Sequence, residues 1–289
     1  MKKTEGQFKG YDGTQLFYRA WKHEGAKVLA VVTHGQAEHS GCYERLSEGF
    51  RDGQIDLYAW DQRGHGKSAG QRGFIRNFSE YVQDFAGFLR HLESSGEIRN
   101  RPLVLIGHSM GGLVQLRALI ENPHLPAVAQ VLSSPLLGIT VKVPVVKDIA
   151  ARVVARTVPR FTMFNELKFD DLIRDKEFVK TFATDTLRHD RISATAYLGF
   201  LESFEFVRAN AGKITLPTLF QVSGTDKIVS RKASEEIFPL IGSKDKKIVV
   251  YEEMYHEIYN DLGREKVYQD LRAWLSQHLA ANQLRETHA

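Results

Sequence analysis

"PLVLIGHSMGGLVQLRALIEN" spans residues 102–122. The opening "PLVLI" is a short apolar run of the kind found in a strand covered on both faces. From Ser109 onward, "SMGGLVQLRALIEN" reads as a helix. Between the two stands Gly107-His108-Ser109-Met110-Gly111, a Gly-x-Ser-x-Gly set at a strand-to-helix junction. This is the sequence of a nucleophile elbow: glycines remove side chains where the turn is tightest, and the serine oxygen is presented above the sheet. A helix N-terminus also offers free N–H groups and a favourable dipole to a developing oxyanion. A glycine turn with an ordinary serine cap would look the same over five residues. The strand before and the helix after favour the elbow.

Five more apolar runs of the same type flank this one: "KVLAVVT" (27–33), "IDLYAW" (55–60), "VAQVLSS" (128–134), "PTLFQVS" (217–223) and "KIVVYE" (247–252). Helical patterns separate them. Phe78, Tyr81, Val82, Phe85, Phe88, Leu89 and Leu92 repeat at helical spacing with Gly96 as a stop. Val267, Leu271, Trp274, Leu275, His278 and Leu279 repeat likewise. Alternating strands and helices predict an α/β fold with a mostly parallel, doubly wound sheet. The N-terminal "GQFKGYDGTQLFYRAW" reads as an antiparallel hairpin leading into it. The rhythm breaks over 136–214, where helix-like segments replace strands. This predicts a core of residues 1–135 and 215–289 with a helical insertion at 136–214. Within the insertion, Val146, Ile149, Ala150, Val153, Val154 and Thr157 form an apolar stripe. Arg152, Arg156 and Arg160 form a separate cationic row.

A serine hydroxyl needs a base, and the base needs an orienting acid. In chain order the acid follows the serine and the histidine comes last. Asp226 in "GTDKIV" lies just past one strand, and His256 in "EMYHEIYND" just past the next. Both fall at carboxyl ends of strands, where open parallel sheets build their sites. His34, His65, His108 and Asp61 compete less well because they sit in early turns or beside the serine. Asp245, Glu252 and Glu253 are less well placed than Asp226. The N–H of Met110 is one oxyanion donor. The N–H of Gln36, in the glycine turn "THGQAEHS" (33–40), is expected as the second.

The chain has 289 residues, 43% of them apolar, and a net charge of +4 without a Lys/Arg block of five. That excludes a nucleic-acid footprint. The start lacks an apolar signal region, and no stretch approaches 18 apolar residues. A single cysteine, Cys42, excludes an internal disulfide and fits a reducing compartment. A cytoplasmic location is expected. No Cys/His pair shows metal spacing, and no metal or organic cofactor is expected. The oligomeric state stays open.

"HGQAEHSGCY", "DQRGHGKS" (61–68), "GHSMGG", "GTDKIV" and "YHEIYND" together resemble the monoacylglycerol lipase and lysophospholipase branch of the α/β-hydrolases, grouped as serine aminopeptidase S33-like. The resemblance covers about residues 8 to 280. It implies an α/β-hydrolase fold, Ser109 as nucleophile with Asp226 and His256, and the amides of Gln36 and Met110 as oxyanion hole. It implies a lipid-facing cap at 136–214 and a lipid ester as substrate. Asp61, Arg63 and His65 are expected as loop scaffolding. Two positions depart from the pattern. Cys42 stands where relatives commonly carry arginine. "FATDTL" (182–187) replaces a Tyr-Asn-x-Asp-Pro-Leu-like stretch, so Phe182 lacks a hydroxyl. Phe161, Met163, Phe164 and Phe182 are the expected substrate contacts of the cap. The cationic row, with Lys142 and Lys147, is a candidate for peripheral contact with anionic headgroups. A short-chain carboxylesterase or an acyltransferase would use the same triad. A dehalogenase or epoxide hydrolase would carry aspartate at position 109. A C–C-bond hydrolase would share the triad, but the cap and the "HGQAEHS" turn point to esters. A peptidase would want an acidic amine site, and a binding protein on this fold usually has a damaged triad.

Overall fold

The computed structural model describes residues 1–140 and 143–286. Among the described residues ten strands form: β1 (Lys2–Lys9), β2 (Gln15–Lys22), β3 (Val28–Thr33), β4 (Ile55–Asp61), β5 (Leu103–His108), β6 (Ala129–Ser133), β7 (Thr162–Phe164), β8 (Arg191–Ser193), β9 (Thr218–Ser223) and β10 (Lys246–Tyr251). Eight of them make one sheet in the order β1-β2-β4-β3-β5-β6-β9-β10. The expected hairpin is present: β1 pairs antiparallel with β2, and β2 antiparallel with β4. Every other pairing in this sheet is parallel. The ends of β3, β4, β5, β6, β9 and β10 therefore share one edge of the sheet, and β5 lies inside it between β3 and β6.

Continuous apolar strands are explained by helices on both faces. Alternate residues of β3 and β5 split between two cores: Leu29, Val31, Leu103 and Leu105 enter one, while Val28, Ala30, Val32, Val104 and Ile106 enter the other. The first core is closed by α2 (Ser79–Ser94), α3 (Met110–Glu121), α6 (Ala194–Asn210) and α7 (Arg231–Ile237). The second is closed by α1 (Glu44–Glu48) and α8 (Arg264–Glu286). Full burial of one such aliphatic side chain is worth about 1.5–3 kcal/mol. Helix α2 ends as its sequence predicts, with Gly96 at φ +79° one residue beyond Ser95.

Between β6 and β9 the chain forms α4 (Val145–Thr157), the β7–β8 ribbon, α5 (Lys176–Thr184) and α6. Two short strands thus occur where only helices were expected. Helix α6 is capped by Ser193, whose hydroxyl accepts from the Ala196 N–H at 3.1 Å. It runs onto α2 and α3: Gly199 lies against Phe78, and Phe200 meets the Phe78 ring edge to face at 6.1 Å. Helix α4 buries no residue. No described helix is long and apolar enough to cross a membrane.

Candidate functional site

The β5–α3 turn holds Ser109 at φ 51° and ψ −121°, a conformation that costs a non-glycine residue about 1–3 kcal/mol unless its surroundings enforce it. Here they do. The Ser109 N–H donates to the Ser133 carbonyl at 3.0 Å, and the Ser109 carbonyl accepts from Leu136 N–H at 2.9 Å. The flanking glycines are sterically required. A Cβ on Gly107 would stand 2.7 Å from Gln115 Oε1 and from Gly112 Cα, and one on Gly111 would fall on the Thr33 carbonyl. Ser109 is buried, and its side chain makes no capping bond.

The β3 turn comes up against this elbow: a Cβ on Gly35 would lie 3.0 Å from Ser109 Cβ. Glu38 accepts from the Gly35 N–H at 2.9 Å and from the Tyr43 hydroxyl at 3.0 Å. His34 lies beneath, accepting from Gln62 N–H at 3.0 Å with Nδ1 on the Gly35 carbonyl at 2.7 Å. Among the described residues, neither the Gln36 nor the Met110 N–H has a hydrogen-bond partner. Both are free to receive a ligand oxygen.

The loops after β9 and β10 are tied together by Thr225, whose N–H donates to the Met254 carbonyl at 3.2 Å and whose hydroxyl donates to the Glu252 carbonyl at 2.7 Å. That brings Asp226 to His256, with Nδ1 and Oδ2 2.7 Å apart. The other Asp226 oxygen accepts from the Ile228 and Val229 amides at 2.9 and 2.8 Å. Burial opposes the Asp226 charge, yet His256 and the two amides hold this carboxyl below its ordinary value. Burial likewise opposes the His256 cation, and Asp226 overcomes it, raising the imidazole above its ordinary value. Ser109 and His256 line one cavity. No hydrogen bond joins their side chains among the described contacts; such links often tighten only when substrate seats.

The competing groups are engaged elsewhere. The His108 ring packs on His256 with centroids 4.8 Å apart. Burial and the neighbouring His256 push His108 down to about 3. Asp61 accepts from the Ser40 and Lys67 amides at 2.6 and 2.7 Å. Arg63 pairs with Asp84 and Asp12, and His65 lies on the Arg63 carbonyl. These residues of "DQRGHGKS" make loop contacts. Asp245 pairs with His278, Glu252 with Arg231, and Glu253 with Arg174.

The cavity measures about 330 Å³, within the range of small-molecule sites. Leu136, Ile139, Leu167, Phe169, Leu172, Ile192, Phe200 and Ile228 supply apolar wall, and Glu38, Arg188, His189 and Glu257 supply polar wall. Sequence reading missed the Arg188–Glu257 pair, bidentate at 3.0 and 3.2 Å. Burial disfavours the Glu257 charge, but Arg188 holds it below the usual range; burial and the Glu257 charge together push Glu38 up. Glu257 sits next to His256 and was within reach of sequence reasoning. Arg188 carried no local signal.

None of the four expected cap contacts lines the cavity. Phe161, Met163 and Phe164 are 57%, 58% and 60% exposed and stand outside the cavity. Phe161 precedes β7 and Met163 and Phe164 lie in it; among the described residues β7 pairs only with β8. Phe182 is buried, but one layer behind the cavity wall. It meets the rings of Phe169 and Phe178 edge to face at 5.7 and 5.4 Å, under the Arg188 guanidinium at 3.8 Å. The α4 stripe neither packs on the core nor lines the cavity: Val146, Ile149 and Val153 are 77%, 57% and 55% exposed. Of the cationic row, Arg152 pairs with Asp148 and Lys147 with Glu166, and Lys142 lies outside the described residues.

Comparison with known proteins gives one family. The family described as serine aminopeptidase, S33, matches residues 24–263. Human monoglyceride lipase is 30% identical over 93% of this chain and 89% of its own. The phospholipase YtpA of Bacillus subtilis is 28% identical over 90% of this chain and 99% of its own. The crystal structure of Paleococcus ferrophilus monoacylglycerol lipase superposes with a TM-score of 0.78 at 30% identity, covering 96% of this chain and all of that one. With its mostly parallel sheet, its serine turn at the end of β5 and this match across most of its length, the chain is an α/β-hydrolase and belongs to the serine aminopeptidase, S33, family.

Proposed function

We propose that this protein hydrolyses carboxylic esters of mono-acylated lipids, of monoacylglycerol or lysophospholipid type, through an acyl-enzyme on Ser109. The observation that carries the reading is His256, paired with Asp226 and sharing a largely apolar cavity with a serine held in a strained turn. Names among the relatives, a monoglyceride lipase and a phospholipase, support the substrate class.

In this mechanism the bond from His256 Nδ1 to Asp226 leaves Nε2 as the basic nitrogen. Nε2 takes the Ser109 proton as the oxygen attacks the ester carbonyl. Asp226 stabilises the imidazolium and fixes its orientation. The Gln36 and Met110 amides receive the oxyanion, each worth on the order of 3 kcal/mol in the transition state. The imidazolium then protonates the leaving alcohol, and a water activated by the same nitrogen releases the fatty acid. The apolar wall suits the acyl chain, and the Glu38, Arg188 and Glu257 wall suits a hydroxyl-bearing headgroup. The insertion at 136–214 acts as the cap. The outward apolar face of α4 and the exposed β7 side chains serve as its contact with a lipid surface.

The test is fatty-acid release from a monoacylglycerol, a lysophospholipid and a short nitrophenyl ester, with the purified protein and Ser109→Ala. Serine-dependent release from one of the long-chain lipids is expected and identifies the headgroup. Turnover of the short ester alone would reduce the reading to a small carboxylesterase. Release that survives Ser109→Ala would overturn the mechanism.

A further inference from the structure

Beside the turn that carries Gln36, three side chains of metal-binding type meet from distant parts of the chain. His39 caps the short turn Ser40–Tyr43, Cys42 lies within it, and Asp185 follows α5. A His39 ring nitrogen, Cys42 Sγ and an Asp185 carboxylate oxygen all lie within 4.8 Å of one another. His39 is buried, and the other two are half-buried. Cys42 is the only cysteine of the chain. None of the three belongs to the nucleophile, acid and base proposed above.

We infer that His39, Cys42 and Asp185 form a binding site for zinc or a similar transition-metal dication. The ion would fasten the loop after β3 to the segment after α5. Thiolate, imidazole and carboxylate are the donors zinc takes, and three protein ligands leave its fourth position to water. Calcium and magnesium, which take oxygen donors, do not match the set. With metal–ligand bonds of about 2.0–2.3 Å, tetrahedral donors stand roughly 3.5 Å apart. Small side-chain rotations reach that from the present spacing. Sequence spacing gave no hint, because the third ligand lies 146 residues from His39.

The hydrogen bonds define what binding must change. Gly41 N–H donates to His39 Nδ1 at 3.1 Å, so Nε2 carries the ring proton and gives it to Asp185 at 2.8 Å. An ion seated between Nε2 and the carboxylate takes the place of that proton. The ring proton moves to Nδ1 and the Gly41 bond is released. The displaced protons, that of Cys42 among them, leave to solvent, without oxidation or reduction.

The experiment uses full-length, tag-free protein, stripped with EDTA and kept reduced with a phosphine, titrated with Co²⁺ and Zn²⁺. One equivalent of Co²⁺ is expected to give a near-ultraviolet thiolate-to-cobalt band that Zn²⁺ abolishes. Zn²⁺ is expected to raise the melting temperature. Cys42→Ser should lose the band and weaken Zn²⁺ binding at least tenfold. Asp185→Asn should keep the band and weaken binding. A Co²⁺ complex without the band overturns the inference. So does a Zn²⁺ affinity unchanged in Cys42→Ser, which would put the ion on another group such as the His256–Asp226 pair. Should Cys42→Ser fail to fold, the band in the parent protein and the affinity of Asp185→Asn decide. No readout depends on ester hydrolysis, so this outcome is separate from that of the proposed function.

Discussion

Asp226 shows how one side chain sets the chemistry of another. It is buried, it accepts two amides on one oxygen, and it spends the other on His256. Its charge raises the imidazole above the ordinary value of about 6.5. The base must be neutral to act, so kcat/KM of the proposed reaction should fall as pH drops, with its acid limb above 6.5. Asp226→Asn should lower kcat by roughly 10⁴-fold and move the acid limb of the residual activity down. A pH profile of nitrophenyl ester hydrolysis checks both. A limb that stays in place in Asp226→Asn would separate this carboxylate from the base.

At the scale of elements, the elbow is a problem of packing before it is one of catalysis. Helix α3 approaches β3 so closely that only glycine fits at position 111. Gly111→Ala must push the helix off the sheet and should destabilise the protein by about 3 kcal/mol, the upper end for an overpacked core. A urea midpoint near that of the parent would contradict this. Helix α4 poses the opposite problem, with an apolar face that none of the described residues covers. Introducing Val146→Glu with Ile149→Glu should leave the melting temperature within a few degrees. It should lower the ratio of vesicle-borne to short-ester hydrolysis about tenfold if that face meets lipid. An unchanged ratio would leave the patch without that role.

The whole molecule stores a pH dependence in its buried histidines. His65, His108 and His189 are all held below their ordinary value by burial, His108 and His189 at about 3. Unfolded, each titrates at about 6.5. The unfolded chain therefore binds more protons than the folded one below that pH. The stability these groups contribute is present above 6.5 and is lost as pH falls toward 3. Each accounts for up to about 1.4 kcal/mol per pH unit. Urea midpoints at pH 7.5, 6 and 5 should fall steeply, and His189→Gln should flatten the slope by about one proton. Equal slopes in the two proteins would show that His189 does not stay neutral when buried.

What could be read without coordinates was whatever is written locally. Continuous apolar runs and period-3.6 patterns separate strands from helices because a buried parallel strand is apolar throughout and a flanking helix only along one stripe. The six core strands were therefore legible to within a residue or two, and so was the elbow, whose glycines mark a clash that any side chain would cause. Asp226 and His256 were legible because sheet topology places strand ends on one edge. The insertion was not. Its apolar residues look alike in sequence whether they face a cavity, a core or solvent. Only packing showed that Phe161, Met163 and Phe164 point outward while Phe169 and Leu172 line the wall. Arg188 against Glu257, and Asp185 against His39, join residues 69 and 146 positions apart. Such pairs depend on how the insertion folds back over the sheet edge, and no local pattern encodes that.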